Sequence, residues 1–264
     1  MFHYRGSTAL VTGASKGLGA VFAEHLAARG MHLVLVARSL EALESLAKRL
    51  SDDYGVHCIA LDADLADPDA ANRIAAELER RAIAVDLLVN NAGLGLSGNF
   101  LSHELQREQG AIQVNVQALV ALTYLFGKGM KHRRKGGIIN LASNASFQAL
   151  PAMATYAAAK AFVLHFSEAL NNELAGDGVH VMAACPGPTA TNFFAETAIT
   201  MSLKAMDSAE SVVQKTLDAF DQGKTVAYPA RISVRIGTLL PRFFPRALVT
   251  KIAGMTIRKM GLHS

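Results

Sequence analysis

The feature that most constrains the fold is the regular alternation of short apolar runs with helical patterns along most of the chain. Seven runs are predicted to be strands: Thr8–Val11, His32–Ala37, Val56–Leu61, Val85–Val89, Ile138–Leu141, Val179–Ala184 and Val226–Tyr228. Between them, helices are predicted around Leu18–Leu26, Leu40–Leu50, Asp67–Leu78, Glu104–Phe126, Met153–Leu174 and Ala209–Phe220. Because the runs are continuously apolar, the strands are expected to be buried on both faces of a parallel sheet. This predicts an α/β fold, a doubly wound sheet of Rossmann type with helices on both faces, in a single domain.

The composition of the chain excludes several classes of protein. The chain has 264 residues, of which 51% are apolar and 18% charged, so it is expected to fold rather than to be disordered. Its two cysteines, Cys58 and Cys185, cannot form a disulfide framework, which favours a reducing compartment. We expect no secretory leader and no membrane span, and therefore a cytoplasmic protein. The nine histidines lack metal-ligand spacing, so no metal is expected.

A glycine-rich turn, T-G-A-S-K-G-L-G, follows the first strand and runs into the first helix. Glycines there let the backbone approach a diphosphate, and the helix N-terminus offers unpaired N–H groups. A tight turn without a ligand is the alternative, but its place between the first strand and the first helix favours a dinucleotide site. The residues predicted to surround the phosphates are Gly13, Ser15, Lys16, Gly17, Leu18 and Gly19.

The end of the second strand indicates which nicotinamide cofactor is used. An acidic residue there would bind the adenosine ribose. In this chain the residues after Ala37 are Arg38 and Ser39, and neither is acidic. The planar guanidinium of Arg38 and the ammonium of Lys16 suit a 2′-phosphate, which predicts NADP(H) in preference to NAD(H). Asp64 and Leu65, at the end of the third strand, are expected to line an adenine pocket.

A possible proton-transfer group lies in Y-A-A-A-K, where Tyr156 and Lys160 occupy one helix face at i and i+4. The ammonium is expected to lower the phenol pKa from its ordinary value of ~10. Ser143, at the end of a strand, could steady a carbonyl or alkoxide, and Ser146, only ten residues before Tyr156, is the less favoured choice. Asn115, in the helix before that strand, could hold a water relay. Asn91, Ala92 and Gly93 follow the fourth strand, where glycine permits close approach to a ribose.

Taken together, T-G-A-S-K-G-L-G, N-N-A-G, Asn115, Ser143, Y-A-A-A-K and P-G-P-T resemble the short-chain dehydrogenase/reductase family over about residues 7–230. The resemblance implies strand order 3-2-1-4-5-6-7 and a Ser143–Tyr156–Lys160 triad supported by Asn115. It also implies hydride transfer while Tyr156 gives or takes the substrate proton and Lys160 binds the nicotinamide ribose. Either Thr189 or Thr191 would hold the carboxamide, and Pro186 and Gly187 would also bind the cofactor. A homodimer or homotetramer is expected.

The resemblance further implies a substrate lid at about residues 189–207. The expected substrate-binding residues are Leu94, Leu96, Ser143, Phe147, Met153, Tyr156, Phe193 and Phe194. This lining favours an apolar carbonyl or secondary alcohol, such as a 3-oxoacyl chain, a ketone or a steroid-like compound. The alternative function is a non-catalytic nucleotide-binding sensor or scaffold of the same fold, although such proteins usually lose the tyrosine or the lysine.

The positive charge of the chain is concentrated at its C-terminal end. Residues 1–221 carry 18 basic and 22 acidic side chains, whereas residues 222–264 carry 8 and none. Residues 1–230 are predicted to form the dinucleotide-binding catalytic domain, and residues 231–264 a basic apolar extension, interrupted by Pro241 and Pro245. An oligomer arm, a peripheral membrane helix and a phosphate contact for an acyl carrier all remain open, and no nucleic-acid partner is expected. The basic run between Lys128 and Lys135 is predicted to be a solvated connector.

Overall fold

The predicted strands form one parallel sheet in the computed structural model, which describes residues 2–191 and 206–259. The strands are β1 (Thr8–Thr12), β2 (His32–Ala37), β3 (Cys58–Asp62), β4 (Leu87–Asn90), β5 (Gly136–Leu141), β6 (Val179–Ala184) and β7 (Val226–Ala227). Their order in the sheet is β3-β2-β1-β4-β5-β6-β7, and every pairing is parallel. The predicted fold class and strand order are confirmed.

Ten helices connect and follow these strands in the described ranges. They are α1 (Gly17–Ala28), α2 (Leu40–Tyr54), α3 (Ala70–Arg80), α4 (Leu105–Ile112), α5 (Ala118–Arg133), α6 (Ala154–Leu174), α7 (Ala209–Asp221), α8 (Ile232–Gly237), α9 (Leu240–Phe243) and α10 (Arg246–Lys259). Helix α2 begins after Ser39, whose hydroxyl accepts a hydrogen bond from the Ala42 N–H, and ends at Gly55 in the left-handed conformation.

Alternate residues of each central strand supply two separate cores, one on each face of the sheet. Val11 and Leu35 point to the face covered by α1, α2 and α7, where Phe22 is fully buried. Leu10 and Val34 point to the opposite face, where they join the buried residues of α3 and α5. Covering both faces explains why the strands are apolar at every position rather than at alternate ones.

Two helix boundaries differ from the prediction for local electrostatic reasons. Helix α5 continues past Phe126 to Arg133, so part of the basic run expected in a connector is helical, and Lys131 and Arg133 lie in the last turn, where cations stabilise the negative end of a helix. Lys131 also forms a salt bridge with Asp177 at 2.8 Å. Helix α3 begins at Ala70 because Asp67 first forms a turn by accepting from the Asp69 N–H.

A five-residue π-helical turn, Gln113–Gln117, joins α4 to α5 in one long helical stretch. Within the described residues, this stretch, Leu105–Arg133, is the one helix long and apolar enough by length and composition to cross a membrane. Its buried residues include Leu122 and Met130, which pack on the sheet, as in a core helix.

The C-terminal extension folds back as three helices. Pro241 lies in the first turn of α9, and Pro245 directly precedes α10, so the prolines divide the extension as predicted. Arg231 anchors its start, because its backbone N–H and its guanidinium both donate to the carboxylate of buried Asp207. Thr189 forms an isolated parallel bridge with Asp207, which connects the anchor to the segment after β6.

Candidate active site

A cleft of about 940 Å³ runs along the carboxyl ends of the strands, on both sides of the point between β1 and β4 where the strand order reverses. Its size is at the upper end of the range for small-molecule and cofactor sites. The glycine-rich turn and the ends of β2 and β3 line one half, and Ser143, Tyr156 and Lys160 line the other. Both groups of residues predicted from sequence therefore meet in one cavity, at the edge of the sheet where ligands bind in such folds.

The glycine-rich turn is built so that no side chain fills the space beside its backbone. Gly13 and Gly17 have φ angles of +64° and +59°, which residues with side chains rarely adopt. A Cβ at Gly19 would collide with the carbonyl oxygen of Gly13, and one at Gly13 would lie 2.9 Å from the amide nitrogen of Asn91. This close packing fits a backbone cradle for a diphosphate at the start of α1.

Hydrogen bonds join the ends of β1 and β4 and hold the cradle in place. The hydroxyl of Thr12 accepts from the N–H groups of Asn91 and Ala92, both at 3.0 Å. The Asn91 side chain donates to the Thr12 carbonyl at 2.8 Å. Asn91, Ala92 and Gly93 line the cleft as predicted. The role of Thr12 was not predicted, because it depends on a hydrogen bond to Asn91, which lies 79 residues further along the chain.

Tyr156, Ser143 and Lys160 lie together at the opposite half of the cleft, each less than 8% exposed. The Tyr156 hydroxyl is hydrogen-bonded to the side chain of Ser143, which caps a short 3-10 helix after β5. The Lys160 ammonium lies 5.9 Å from the centre of the Tyr156 ring and donates to the Leu141 carbonyl at 2.8 Å. The helix spacing and the strand end thus bring the three predicted side chains into one group.

The expected lowering of the Tyr156 pKa by Lys160 is wrong. Burial raises the pKa of Tyr156 to about 12, although the hydrogen bond from Ser143 opposes the shift. Burial also lowers the pKa of Lys160 to about 8, because the charged ammonium has left water. Burial is the largest cause of both pKa shifts, and the phenol is held protonated at neutral pH.

Residues 7–202 match the protein family described as short chain dehydrogenase. The chain belongs to the short-chain dehydrogenase family. Members of this family are oxidoreductases with a Rossmann nucleotide-binding fold that use NAD or NADP. The cradle and the Ser143–Tyr156–Lys160 group are the features of the cleft that fit such a cofactor and its chemistry.

Individual relatives of this dehydrogenase differ in substrate. It is 35% identical over 184 residues to 17-beta-hydroxysteroid dehydrogenase type 3 of Mus musculus, covering 69% of this chain and 59% of the relative. It is 36% identical over 191 residues to very-long-chain 3-oxoacyl-CoA reductase of Anas platyrhynchos, covering 70% of this chain and 61% of the relative. The chain thus spans about 60% of the length of these two curated relatives.

A solved structure matches the dehydrogenase over nearly its whole length. The short-chain dehydrogenase from Sphingobium yanoikuyae in complex with NADPH superposes with a TM-score of 0.82 at 34% identity. The match covers 91% of this chain and 97% of that one. This likeness supports the sheet order and the location of the nucleotide cleft.

The cofactor half of the dehydrogenase cleft is basic. Lys16 and Arg38 both line it, both are exposed, and neither forms a salt bridge with a carboxylate in the part of the chain that the structure describes. Asp64 lines the cleft too, but one of its carboxylate oxygens accepts from the Ala66 N–H. Lys16 in the glycine-rich turn and Arg38 at the end of β2 are therefore available to an anionic group.

The remaining predicted cofactor residues also border this cavity, with one exception. Those that line it are Ser15, Leu18, Ser39, Leu65, Pro186, Gly187, Thr189 and Thr191. Gly19 is buried behind the cradle, where it allows α1 to pack against Gly13. Thr189 is buried and its hydroxyl donates to the Gly187 carbonyl at 3.0 Å, while Thr191 lies beside Gly17.

Asn115 lies behind the catalytic group rather than in the lining of the cleft. Its side chain donates to the carbonyls of Leu94 and Ala111 and accepts from the Leu94 N–H. The π-helical turn that contains it places this amide against the loop after β4. In this geometry Asn115 fixes the backbone of Leu94, so it is a positioning residue for the cleft wall, and the expected water relay stays a prediction.

Ser146 and Cys185 support the site from the protein interior. The Ser146 hydroxyl donates to the Lys160 carbonyl and accepts from the Ser143 N–H, so it ties the serine segment to α6. The thiol of Cys185 is buried, and burial raises its pKa to about 12, which makes it unreactive at neutral pH. Asn140, which sequence reasoning missed, links Asn90 to Ser167 in a buried chain of hydrogen bonds.

Only part of the predicted substrate lining borders the dehydrogenase cleft. Leu94 and Met153 line it together with Ser143 and Tyr156. Leu96 instead packs near His103, because the loop after β4 turns away, and Phe147 stacks on Tyr228 at 5.6 Å. Neither residue lines the cleft, so their contact with substrate stays a prediction. Phe193 and Phe194, and most of the expected lid, lie outside the described residues.

The C-terminal extension forms a wall of the cleft, which the sequence analysis did not anticipate. Its apolar lining residues are Val234, Leu240, Val249, Ile252, Ala253 and Ile257. Gly254 of α10 allows the close approach, since a Cβ there would lie 3.2 Å from Pro151. The sequence did contain a signal for this wall. Apolar residues spaced by three and four positions mark one face of a helix, and this spacing occurs at Val249, Ile252, Ala253 and Ile257.

Proposed function

We propose that this dehydrogenase interconverts a carbonyl group and a secondary alcohol on an apolar substrate, with NADP(H) as cofactor. The observation that carries the proposal is the meeting, in one cleft, of a basic glycine cradle and the Ser143–Tyr156–Lys160 group. A sensor or scaffold without turnover has no need for a buried phenol and a buried amine at the end of a nucleotide cleft. The intact pair therefore favours catalysis.

The residues present suit the dinucleotide by their shape and charge. The cradle of Gly13, Gly17 and the α1 N-terminus would hold the diphosphate, while Asn91 and Lys160 would face the nicotinamide ribose. When bound, the cofactor supplies or accepts the hydride. The protein contributes orientation, exclusion of water and a proton at the Tyr156 hydroxyl.

In the reductive direction, the Tyr156 hydroxyl donates its proton to the carbonyl oxygen of the substrate. The high pKa of the buried phenol keeps that proton in place at neutral pH until it is needed. The Ser143 hydroxyl can donate a second hydrogen bond to the same oxygen. The Lys160 ammonium, 5.9 Å from the ring centre, would offset part of the negative charge of the phenolate that remains, although burial still keeps the phenol pKa high. In the oxidative direction the phenolate would accept the alcohol proton.

The preference for NADP(H) is proposed from two cations, one in the glycine-rich turn and one at the end of β2. Arg38 and Lys16 are exposed in the cleft and can both reach a 2′-phosphate, whereas a nearby carboxylate would repel it. Supporting this, the Sphingobium yanoikuyae structure contains NADPH. We expect Arg38→Asp to reverse the preference, measured as the NADP/NAD ratio of kcat/KM.

The reversal should be at least tenfold, since one charged hydrogen bond to phosphate is worth ~1.5–3 kcal/mol. The matched control is Arg107→Asp, an exposed arginine of α4 outside the cleft lining. An unchanged ratio in Arg38→Asp would remove Arg38 from cofactor selection.

The proposed substrates are apolar and extended or bulky. The substrate end of the cleft is lined by Leu94, Leu150 and Met153 and by the apolar face of α10. The relatives named above act on a hydroxysteroid and on a very-long-chain 3-oxoacyl-CoA, which agrees with such a lining. A homodimer or homotetramer remains part of the proposal.

A carbonyl panel tests the function. Purified protein is incubated with NADPH or NADH and with 3-oxoacyl thioesters, cyclic ketones and keto-steroids, and cofactor oxidation is followed by absorbance. We expect turnover with NADPH on the apolar ketones and none on small polar ketones of similar reactivity. NADPH binding without turnover on any ketone would instead favour the sensor or scaffold function.

A further inference from the structure

The exposed side of residues 232–258, here named the C-terminal surface, is unusually apolar for a protein surface. Half of the sixteen large apolar side chains exposed in the described ranges lie within residues 232–255. Ile232 and Phe243 are each 77% exposed, and Ile236 is 58% exposed. Large apolar patches of this kind mark sites of contact with another molecule or with a membrane.

The same surface carries only positive charge. Residues 222–264 contain eight lysines and arginines and no acidic residue. Five of these cations, Arg235, Arg242, Arg246, Lys251 and Arg258, are exposed on the C-terminal surface. Basic side chains interleaved with exposed leucine, isoleucine and phenylalanine are typical of helices that lie in the interface of an anionic bilayer.

The C-terminal surface is continuous with the substrate end of the cleft. Ile252 of α10 lines the cleft and is also 38% exposed, so it lies at the rim. Next to it in the wall, Leu240 and Val249 face the cavity, while Leu248 and Met255 are exposed outside it. An apolar path therefore leads from the outer surface into the cavity.

We propose that the C-terminal surface docks on an anionic lipid bilayer, with the rim of the cleft at the lipid boundary. The cations would meet the lipid head groups, and Ile232 and Phe243 would enter the acyl boundary. Docking in this orientation would admit apolar substrates from the bilayer without passage through water. The proposal concerns binding to lipid and does not depend on the proposed reaction.

Two other occupants fit the observations less well. A second copy of the chain would bring two sets of cations together without a single carboxylate in residues 222–264 to pair with them. Nucleic acid would satisfy the charges but would leave the apolar side chains of Ile232 and Phe243 without a partner. An anionic bilayer satisfies both properties of the surface.

The absence of tryptophan from the chain makes a direct test possible. Phe243→Trp places a single fluorophore on the C-terminal surface, and Leu101→Trp places one at a 91% exposed position elsewhere. The full-length proteins are mixed with phosphatidylserine-containing vesicles or with phosphatidylcholine vesicles. We expect the emission of Phe243→Trp to shift to shorter wavelengths with phosphatidylserine only, and the emission of Leu101→Trp to stay unchanged.

Flotation with the same vesicles measures the contribution of charge. Each surface cation contributes about fivefold to binding of an anionic bilayer, so Arg242→Gln combined with Arg246→Gln should weaken it about 25-fold. Arg107→Gln, an exposed arginine on α4, is the matched control and should float like the unsubstituted protein. Equal circular dichroism spectra and melting temperatures of all variants would show that folding is unaffected.

Three results would overturn the proposal. The first is an unshifted Phe243→Trp emission with both kinds of vesicle. The second is equal binding to phosphatidylcholine, which would remove the role of the cations. The third is a change of oligomeric state in the arginine variants without any flotation, which would make the surface an interface between copies of the chain.

Discussion

The two halves of the cleft are built in different ways. The cofactor half consists of turns that leave β1, β2, β3 and β4, and the strands hold these turns in a fixed register. The substrate half is closed by short C-terminal helices, whose start is anchored to the rest of the protein by the Arg231–Asp207 pair. The sheet thus fixes the geometry of the cofactor half, whereas the residues of the substrate half can change without changing the sheet.

We expect the two halves to serve different purposes, the first binding the cofactor and the second selecting the substrate. Hydride transfer and proton transfer require fixed distances, and these are provided by α6 and by the strand ends. We expect the apolar wall formed by α10 to decide which molecules fit. Substitutions in the two halves should therefore affect different kinetic constants.

The largest expected effect is on cofactor binding through Gly19. In Gly19→Val the new side chain collides with the Gly13 carbonyl oxygen and with the Asn91 amide, so the cradle cannot form. We expect NADPH affinity, measured by isothermal titration calorimetry, to fall by at least about a hundredfold, because the diphosphate loses its backbone hydrogen bonds, each worth ~1.5–3 kcal/mol. Gly110→Val in α4, where a Cβ meets open space, is the matched control. Unchanged affinity in Gly19→Val would show that the cradle does not bind the diphosphate.

A change of about tenfold in kcat/KM is expected from substitutions in the substrate half. Leu240→Ala combined with Val249→Ala removes apolar contacts from the wall, and methylene groups in such a pocket contribute ~1–3 kcal/mol to discrimination. We expect kcat/KM for an apolar ketone to fall about tenfold while the NADPH dissociation constant stays within about twofold. Leu248→Ala, on the outer side of α10, should change neither. An equal fall in kcat/KM for a polar and an apolar ketone would contradict a role of this wall in substrate specificity.

The third expected effect is on stability rather than on binding or turnover, and it concerns Lys160. Burial lowers its pKa from 10.5 to about 8, so between these values the unfolded chain binds more protons than the folded chain. Stability due to this group therefore rises with pH, by on the order of 3 kcal/mol across the window.

Lys160→Met removes this contribution and leaves Tyr156 in place. We expect the melting temperature of the ligand-free protein, relative to that of Lys160→Met, to rise by several degrees as the pH increases from 8 toward 10.5. Differential scanning calorimetry at a series of pH values measures the difference. A constant difference would indicate that the amine is not desolvated.

The cofactor half could be predicted from sequence because its signals are local. The glycine spacing, Arg38 after β2 and the i, i+4 pair of Tyr156 and Lys160 each lie within a few residues, and the strand order brings them together. The strand order itself came from the resemblance to the family. Thr12, Asn140 and Asp207 were missed because their roles depend on contacts between distant segments.

The substrate half was predicted less well for a physical reason. Apolar side chains in a loop or a terminal helix can pack inward or line a cavity, and the sequence pattern is the same in both cases. Leu96 and Phe147 therefore proved to pack elsewhere, whereas Val249 and Ile257 line the cleft. The ionisation of Tyr156 was predicted in the wrong direction because burial cannot be read from a five-residue motif.

Tyr156→Phe tests the central claim most directly, because it removes one hydroxyl and keeps the ring that packs in the cleft. Turnover of an apolar ketone and NADPH affinity are measured on the same preparation. We expect kcat to fall about 10²–10⁴-fold, as for the loss of a general acid, while the NADPH dissociation constant stays within about twofold. Near-normal turnover in Tyr156→Phe would contradict the account, because the proton would then come from another group.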